Sequence, residues 1–246
     1  MNVIEKTLTV LKAFTEIQPL WGVNELSRNL NLPASTLHRI LKILREDGIL
    51  EVTDTGKYKL GPEMFRLSSI VYSQIDIKNL AKPHLELLST DVDESVYLAQ
   101  YFPQHKRLSF IYGSQSKHAL QYVLELGILQ PIHIAASGKA ILAFLDNSEI
   151  ESVFDHEGLT EDQRIETLKE LTEIKEQGYA MTRSERLKSA LGFGAPIFDA
   201  TQKVVGSIIC AIPIHHYEEK NKDLIVEKII ESAKNISHTL GYNPVK

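Results

Sequence analysis

The chain has 246 residues, 43% of them hydrophobic, a single cysteine and a formal net charge of −5. That length allows one or two domains with full cores, and the lone Cys210 excludes an intrachain disulfide framework and suits a reducing compartment. No basic-then-apolar leader opens the sequence and no apolar run approaches the roughly 18 residues that span a bilayer, so the expected location is the cytoplasm, with no membrane partner. The acidity is uneven: residues 1–62 hold 8 Lys and Arg against 7 Asp and Glu, and the remainder holds 19 against 25. The overall charge argues against indiscriminate nucleic-acid binding, but the first segment does not share the deficit.

In chain order, Val3, Leu8, Val10, Leu11, Phe14 and Ile17 predict an amphipathic helix that Pro19 stops, with Trp21 padding the joint to the next element. A short helix follows over Val23 to Leu30, capped by Asn24 or by Gly22. Its apolar residues Val23, Leu26 and Leu30 share one side, and small Ser27 sits where the next helix must approach. Asn31-Leu32 breaks the chain before Pro33, so the two helices cross steeply, as in a helix-turn-helix. In the second helix Leu37, Ile40, Leu41 and Leu44 fall at i, i+3, i+4 and i+7. The opposite face carries Ser35, Thr36, His38, Arg39, Lys42 and Arg45, donors suited to base edges and phosphates in a DNA major groove. Taken alone, such a stripe also fits a solvated surface helix.

The flanking sequence decides between those readings. Gly48 ends the helix, and Ile49–Val52 and Lys57–Leu60 form a hairpin around Thr53-Asp54-Thr55-Gly56. Lys57 and Lys59 project from one face of that ribbon, either toward phosphates or as a solvated edge that deters strand pairing. Helix-turn-helix plus basic hairpin is a winged helix, and it spans residues 1–62. A linker helix over 63–76 carries the stripe Met64, Leu67, Ile70 and Val71, which predicts pairing with a sister chain.

The second domain, 77–246, opens with a helix bearing Leu80, Leu85 and Leu88. Strands are expected at Ser95–Phe102, Leu108–Tyr112, Tyr179–Thr182, Leu191–Phe193 and Val204–Ile212. A turn at Leu126–Pro131 enters the apolar run Ile132–Ala135, and Ser137–Leu145 looks helical. Glu161–Gln177 is a surface helix with Ile165, Leu168, Leu171 and Ile174 turned inward and Gly178 as its stop, and Glu218–Leu240 closes the chain. The order suggests an α+β fold, an antiparallel sheet with helices packed on it.

The chain resembles the IclR family of bacterial transcription regulators over nearly its full length. The resemblance rests on Leu32-Pro33-Ala34-Ser35-Thr36-Leu37-His38-Arg39-Ile40-Leu41 and Gly56-Lys57-Tyr58-Lys59-Leu60-Gly61. In the second domain it rests on Pro131 through Ala143, Gly178-Tyr179-Ala180, Glu185, Ala195-Pro196-Ile197-Phe198-Asp199 and Val204-Val205. It implies a GAF-like effector-binding domain, double-stranded operator DNA and a small-molecule effector as partners, and dimers that can pair into tetramers. Both repressors and activators occur in the family; repression is the expected sign here. The alternative is a GAF-like hydrolase with an accessory DNA-binding module.

Against the family pattern, the strands expected to line the effector pocket read Tyr179–Glu185, Leu191–Gly194 and Ile209–Ala211. An expected aspartate is Thr182 or Ser184, Gly192 flanked by Phe193 stands at a polar position, and Ile209 and Ala211 replace hydroxyls. Ser137, Thr182 and Glu185 are then the few polar groups of a largely apolar site that also takes in Gly138, a glycine expected to permit close packing at the helix start, and this predicts a neutral or weakly polar effector, aromatic or sugar-derived. Arg183 or Arg186 could restore affinity for an anion, Glu185 could be a solvated loop acid, and the region could be a packed core without a ligand. Ser137-Gly138-Lys139 lacks the upstream glycines of a phosphate loop. Lys139 is expected to be solvated or at the pocket mouth, and a Ser–Lys nucleophile pair is a remote option. The adjacent His215-His216 point opposite ways in an extended segment and no cysteine or acidic cluster stands at zinc spacing, so the pair is expected to be a solvated loop, and no metal, cofactor or catalytic set is expected. Cys210, in an apolar strand, should be a buried inert thiol.

Overall fold

The computed structural model describes residues 2–74 and 76–244, with the side chains of Glu16, Ser68, Ser69 and residues 71–74 outside the description. The chain divides into two units, the first reaching Asp76 and the second starting at Ile77.

In the first unit, α1 (Val3–Glu16) is held at its start by Asn2 and Glu5, each side chain bonded to the other's backbone N–H. Its buried face is Val10, Ala13 and Phe14. Val3, Leu8 and Ile17, expected on that face, are exposed; the i, i+3, i+4 trio already fills the contact with the two following helices, α2 (Val23–Asn29) and α3 (Ala34–Glu46). Gly22, not Asn24, is the N-cap of α2. The break between α2 and α3 is fastened by Ser27, whose Oγ donates to the Leu32 carbonyl at 2.6 Å, while Asn31 takes a left-handed turn at φ +51°. The hairpin of β1 (Leu50–Val52) and β2 (Tyr58–Leu60) pairs Leu50 with Leu60 and Val52 with Tyr58. Trp21 adds a third rung, exchanging backbone hydrogen bonds with Tyr58 while its indole N–H donates to the Ala13 carbonyl. The last element of this unit is α4 (Pro62–Gln74).

The second unit is built on a six-stranded antiparallel sheet in the order β5-β4-β3-β8-β7-β6. Its strands are β3 (Ser95–Phe102), β4 (Arg107–Ser114), β5 (Leu129–Pro131), β6 (Ala180–Arg183), β7 (Ala190–Phe198) and β8 (Val204–Pro213). One face carries α5 (Ile77–Val92) and α9 (Lys222–Thr239), packed on Val96, Leu98, Phe193, Ile208 and Cys210. The other face carries α6 (Ala135–Leu142), α7 (Asn147–Glu157) and α8 (Glu161–Gln177), packed on Tyr97, Ala99, Phe110, Ile209 and Ala211. With both faces covered, β3 and β8 read as continuous apolar runs, which hides their alternation in the sequence. Pro196 sits inside β7 without breaking the sheet, because β6 begins only at Ala180, opposite Gly194, and leaves β7 an edge beyond that point.

The structure departs from expectation in this unit too. The apolar run Ile132–Ala135 is a bend over Ile132–Ile134 that passes into α6 at Ala135. On α8 only Leu171 and Ile174 of the expected four are buried, since the stripe that faces inward is Thr167, Leu171 and Ile174, which leaves Ile165 and Leu168 turned outward. Helix α7 was not expected, although Ile150, Val153 and Phe154 bury themselves at i, i+3 and i+4.

Candidate functional site

Helix α3 buries Leu37, Ile40, Leu41 and Leu44 and turns Ser35, His38, Arg39 and Lys42 outward, with Thr36 half-buried between the two faces. Its N-cap is Pro33, and no side chain bonds to the first turn, which contains no acid. The N–H groups of that turn therefore face outward unpartnered by side chains, at the positive end of the helix dipole. Among the described residues Arg39 makes no ion pair, whereas Lys42 reaches Glu46 at 3.7 Å along the helix. On the wing, Lys59 is bound to Glu51 across the strands at 2.7 Å, and Lys57 stands exposed beside it. The two lysines, equivalent in the sequence, are thus different in charge available to a partner.

On α4, Met64 is half-buried, while Leu67 and Ile70 are exposed; the side chain of Val71 lies outside the described residues. Phe65, not part of the expected stripe, is the most open large apolar side chain described on the helix, 76% exposed.

The second site lies where α6 meets β6, β7 and β8. Strand alternation brings Thr182, Gly192, Ile209 and Ala211 to the α6 side, and together with Ser137 and Glu185 they line one small cavity of about 40 Å³. Six of the eight expected effector residues are therefore neighbours. The other two are not. Phe193 points to the opposite face of the sheet, where it packs under α9 beside Cys210, because consecutive strand residues alternate. Gly138 is a packing residue: a Cβ there would come within 2.5 Å of the Ile132 carbonyl oxygen, so only glycine lets α6 lie so close to the preceding bend. At Gly192 an added Cβ would meet Ile209 Cδ1 at 3.2 Å and Ala136 Cβ at 3.3 Å, so its bare backbone makes the cavity floor.

Two polar side chains of this site, Thr182 and Glu185, are already engaged. Thr182 Oγ1 accepts from the Ala136 N–H at 2.9 Å and Glu185 Oε2 from the Ala135 N–H at 2.8 Å, so both cap the start of α6. Glu185 Oε1 binds Lys139 Nζ at 2.8 Å, and the same ammonium reaches Glu170 on α8 at 2.6 Å. Lys139 is neither solvated nor at a pocket mouth but 6% exposed. Burial works against its charge, yet the hydrogen bonds to Glu170 and Glu185 outweigh it and hold the ammonium above its ordinary pKa. A lysine so held is unsuited to act as a base toward Ser137. The Cys210 thiol, fully buried, is pushed well above its usual range and is equally inert.

Sequence reasoning placed Arg186 outside the main set, and Phe110 and Leu124 escaped it; all three line the cavity. Arg186 lies over the Phe110 ring, 5.9 Å from its centroid, and donates to the Gln130 side chain and to the carbonyls of Pro131 and Ile134. Burial pulls its guanidinium down to about 10, with Glu185 opposing, and its Nε has no hydrogen-bond partner. No local signal in the sequence joins residues 110, 124 and 186.

Comparison with known proteins agrees with this architecture. Residues 3–54 match the IclR helix-turn-helix domain, and residues 70–238 match the bacterial transcriptional regulator IclR C-terminal domain. The chain is 26% identical to the HTH-type transcriptional regulator KipR of Bacillus subtilis (strain 168), over 97% of both chains. It is 27% identical to the HTH-type transcriptional regulator TtgV of Pseudomonas putida, over 98% of this chain and 92% of that one. Its fold is similar to the crystal structure of an IclR-type regulator from Silicibacter sp. TM1040, with a TM-score of 0.82 at 23% identity, covering 99% of this chain and 97% of that one. With matching family domains at both ends and a winged helix followed in the chain by a two-faced antiparallel sheet, the chain belongs to the IclR family of bacterial transcription regulators.

Proposed function

We propose that this regulator acts in the cytoplasm as a repressor, by binding and not by catalysis, with two copies seating their α3 helices on a two-fold operator. The observation that carries this reading is the division of α3 into a buried apolar face and an exposed face of Ser35, His38, Arg39 and Lys42 around an uncapped first turn. One such helix reads only a few base pairs, so a genome-unique site requires two half-sites and a dimer. The exposed Leu67 on α4 supports placing part of the pairing surface there, with Met64, Ile70 and Val71.

The effector reading follows from the lining of the small cavity. Thr182 and Glu185 are committed to α6, and the walls are Phe110, Leu124, Ala136, Gly192, Ile209 and Ala211, so the guest is a compact molecule with an apolar face. The uncommitted Arg186 Nε favours one acceptor group on it, a carbonyl or carboxylate oxygen. A volume of about 40 Å³ is far below the roughly 300 Å³ of ordinary ligand sites. Admission therefore requires outward movement of the segment 184–190, where Ser184 and Ser189 both hold left-handed backbone, at φ +57° and +58°. The same small volume favours a second reading, a packed core that takes no guest.

One experiment separates them. Small aromatic, sugar-derived and keto-acid metabolites are screened by thermal shift and by operator release, with the chain-to-operator ratio measured alongside. We expect two chains per operator and at least one compound that raises Tm and frees the DNA. Gly192→Val, which fills the cavity floor, should keep DNA binding and lose the response. Release by the same compound from Gly192→Val, undiminished, would overturn the cavity assignment.

A further inference from the structure

At one end of the six-stranded sheet, three segments leave side by side. Ser95 at the start of β3 pairs with Ala211 of β8, and Val96 pairs with Ser114 at the end of β4. The residue before β3, the loop after β4 and the 3-10 turn Ile214–His216 after β8 therefore converge. They carry Glu94, His118 and His216, and one potential ligand atom from each lies within 4.8 Å of the other two. The loop bearing His118 is tied down, since its N–H donates to Ser116 Oγ and the Ser116 N–H donates to Ser95 Oγ.

The cluster is unbalanced as it stands. Glu94 is only 6% exposed, and its Oε2 is buried with no hydrogen-bond partner. Its Oε1 stands 3.5 Å from His216 Nδ1, itself a buried nitrogen without a hydrogen bond. A carboxylate taken from water and left without a donor is expensive, and a bound cation is what answers a carboxylate oxygen and an imidazole nitrogen at once. Asp93 Oδ2 lies 3.2 Å from His118 Nε2, the kind of carboxylate partner that orients a ligating imidazole. A cavity of about 190 Å³ bordered by Asp93, Glu94, His216 and Glu218 gives an ion and its water access.

We propose that Glu94, His118 and His216 bind one divalent transition-metal ion of the Zn²⁺ type, with water as the fourth ligand. Two imidazoles and a carboxylate are the donor set of zinc and its neighbours, whereas magnesium and calcium take oxygen shells. Ligand atoms around a tetrahedral zinc lie about 3.3 Å apart. The Glu94–His216 pair is already near that spacing, and a small turn of the His118 ring closes the rest. This reading departs from the expectation of a solvated His215-His216 loop with no acidic cluster at zinc spacing: the buried acid, Glu94, stands more than a hundred residues earlier in the chain. His215, exposed beside the site, is outside the cluster.

The test uses the untagged full chain, stripped with a chelator and titrated with Zn²⁺ against a chromophoric competitor, then with Co²⁺ read by its visible absorption. Expected is one ion per chain, a Zn²⁺-dependent rise in Tm, and binding weakened about tenfold or more in His118→Ala, His216→Ala and Glu94→Gln. His118 lies in a surface loop, so His118→Ala keeps the fold even if Glu94→Gln does not, and His215→Ala should bind like the parent. Absence of stoichiometric binding by the parent overturns the site. So does undiminished binding by both His118→Ala and His216→Ala, or a loss in His215→Ala as large as theirs.

Discussion

Helix α3 begins with Pro33 as its cap and no side chain on its first turn, whereas α6 begins with Thr182 and Glu185 bonded to the N–H groups of Ala136 and Ala135. Both starts carry the same unsatisfied donors and the same positive end of a dipole. In α6 the protein answers them itself, with groups 46 and 50 residues further along the chain, and then neutralises Glu185 with Lys139. In α3 they are left for something outside, and the nearest side chains are hydroxyls and cations, which do not repel a phosphate. The contrast separates a helix start used for cohesion from one kept for recognition. It also explains why the cavity beside α6 is so small: its polar end is filled by the protein's own carboxylate.

The largest expected effect tests the α6 side. Lys139→Met leaves Glu185 and Glu170 without their shared cation. Because these acids are 27% and 41% exposed, the loss should sit near the lower end for a broken buried pair, about 3 kcal/mol, or a Tm drop of about 6–12 °C. Thermal melts check it, and a drop under about 2 °C would mean that Lys139 does not hold the start of α6. Operator affinity at a temperature where the variant is folded should be unchanged.

The α3 side is tested by Arg39→Ala. Loss of a side-chain contact to a base should weaken operator binding by about 1–3 kcal/mol and relax preference at one base position, with no change in Tm beyond about 1 °C. Equal binding to every operator variant would remove this helix from the reading role. The smallest effect separates the wing lysines. Lys57→Ala should lower the slope of log affinity against log salt by about one, whereas Lys59→Ala should lower it by less, since Lys59 must first leave Glu51. Equal slopes for the two variants would show that the Glu51 pair does not persist on DNA.

Much of this molecule is legible in the sequence where the chemistry is local. The stripe Leu37, Ile40, Leu41 and Leu44, the break at Asn31, the hairpin turn at Gly56 and the span of α8 with Gly178 behind it all follow from spacing and turn chemistry within a few residues. Two-faced burial is harder to read. It leaves β7 buried on both faces from Phe193 through Ile197, so the face of Phe193 is fixed only once its neighbours in the sheet are known. The tertiary structure alone decided that Lys139 would be buried between Glu170 and Glu185, that Arg186 would lie by Phe110, and that Glu94 would meet His118 and His216. The physical reason is the same in each case. Helical periodicity and turn preference belong to neighbouring residues, whereas a charge pair or a ligand set is chosen by sheet register and helix docking between segments far apart in the chain.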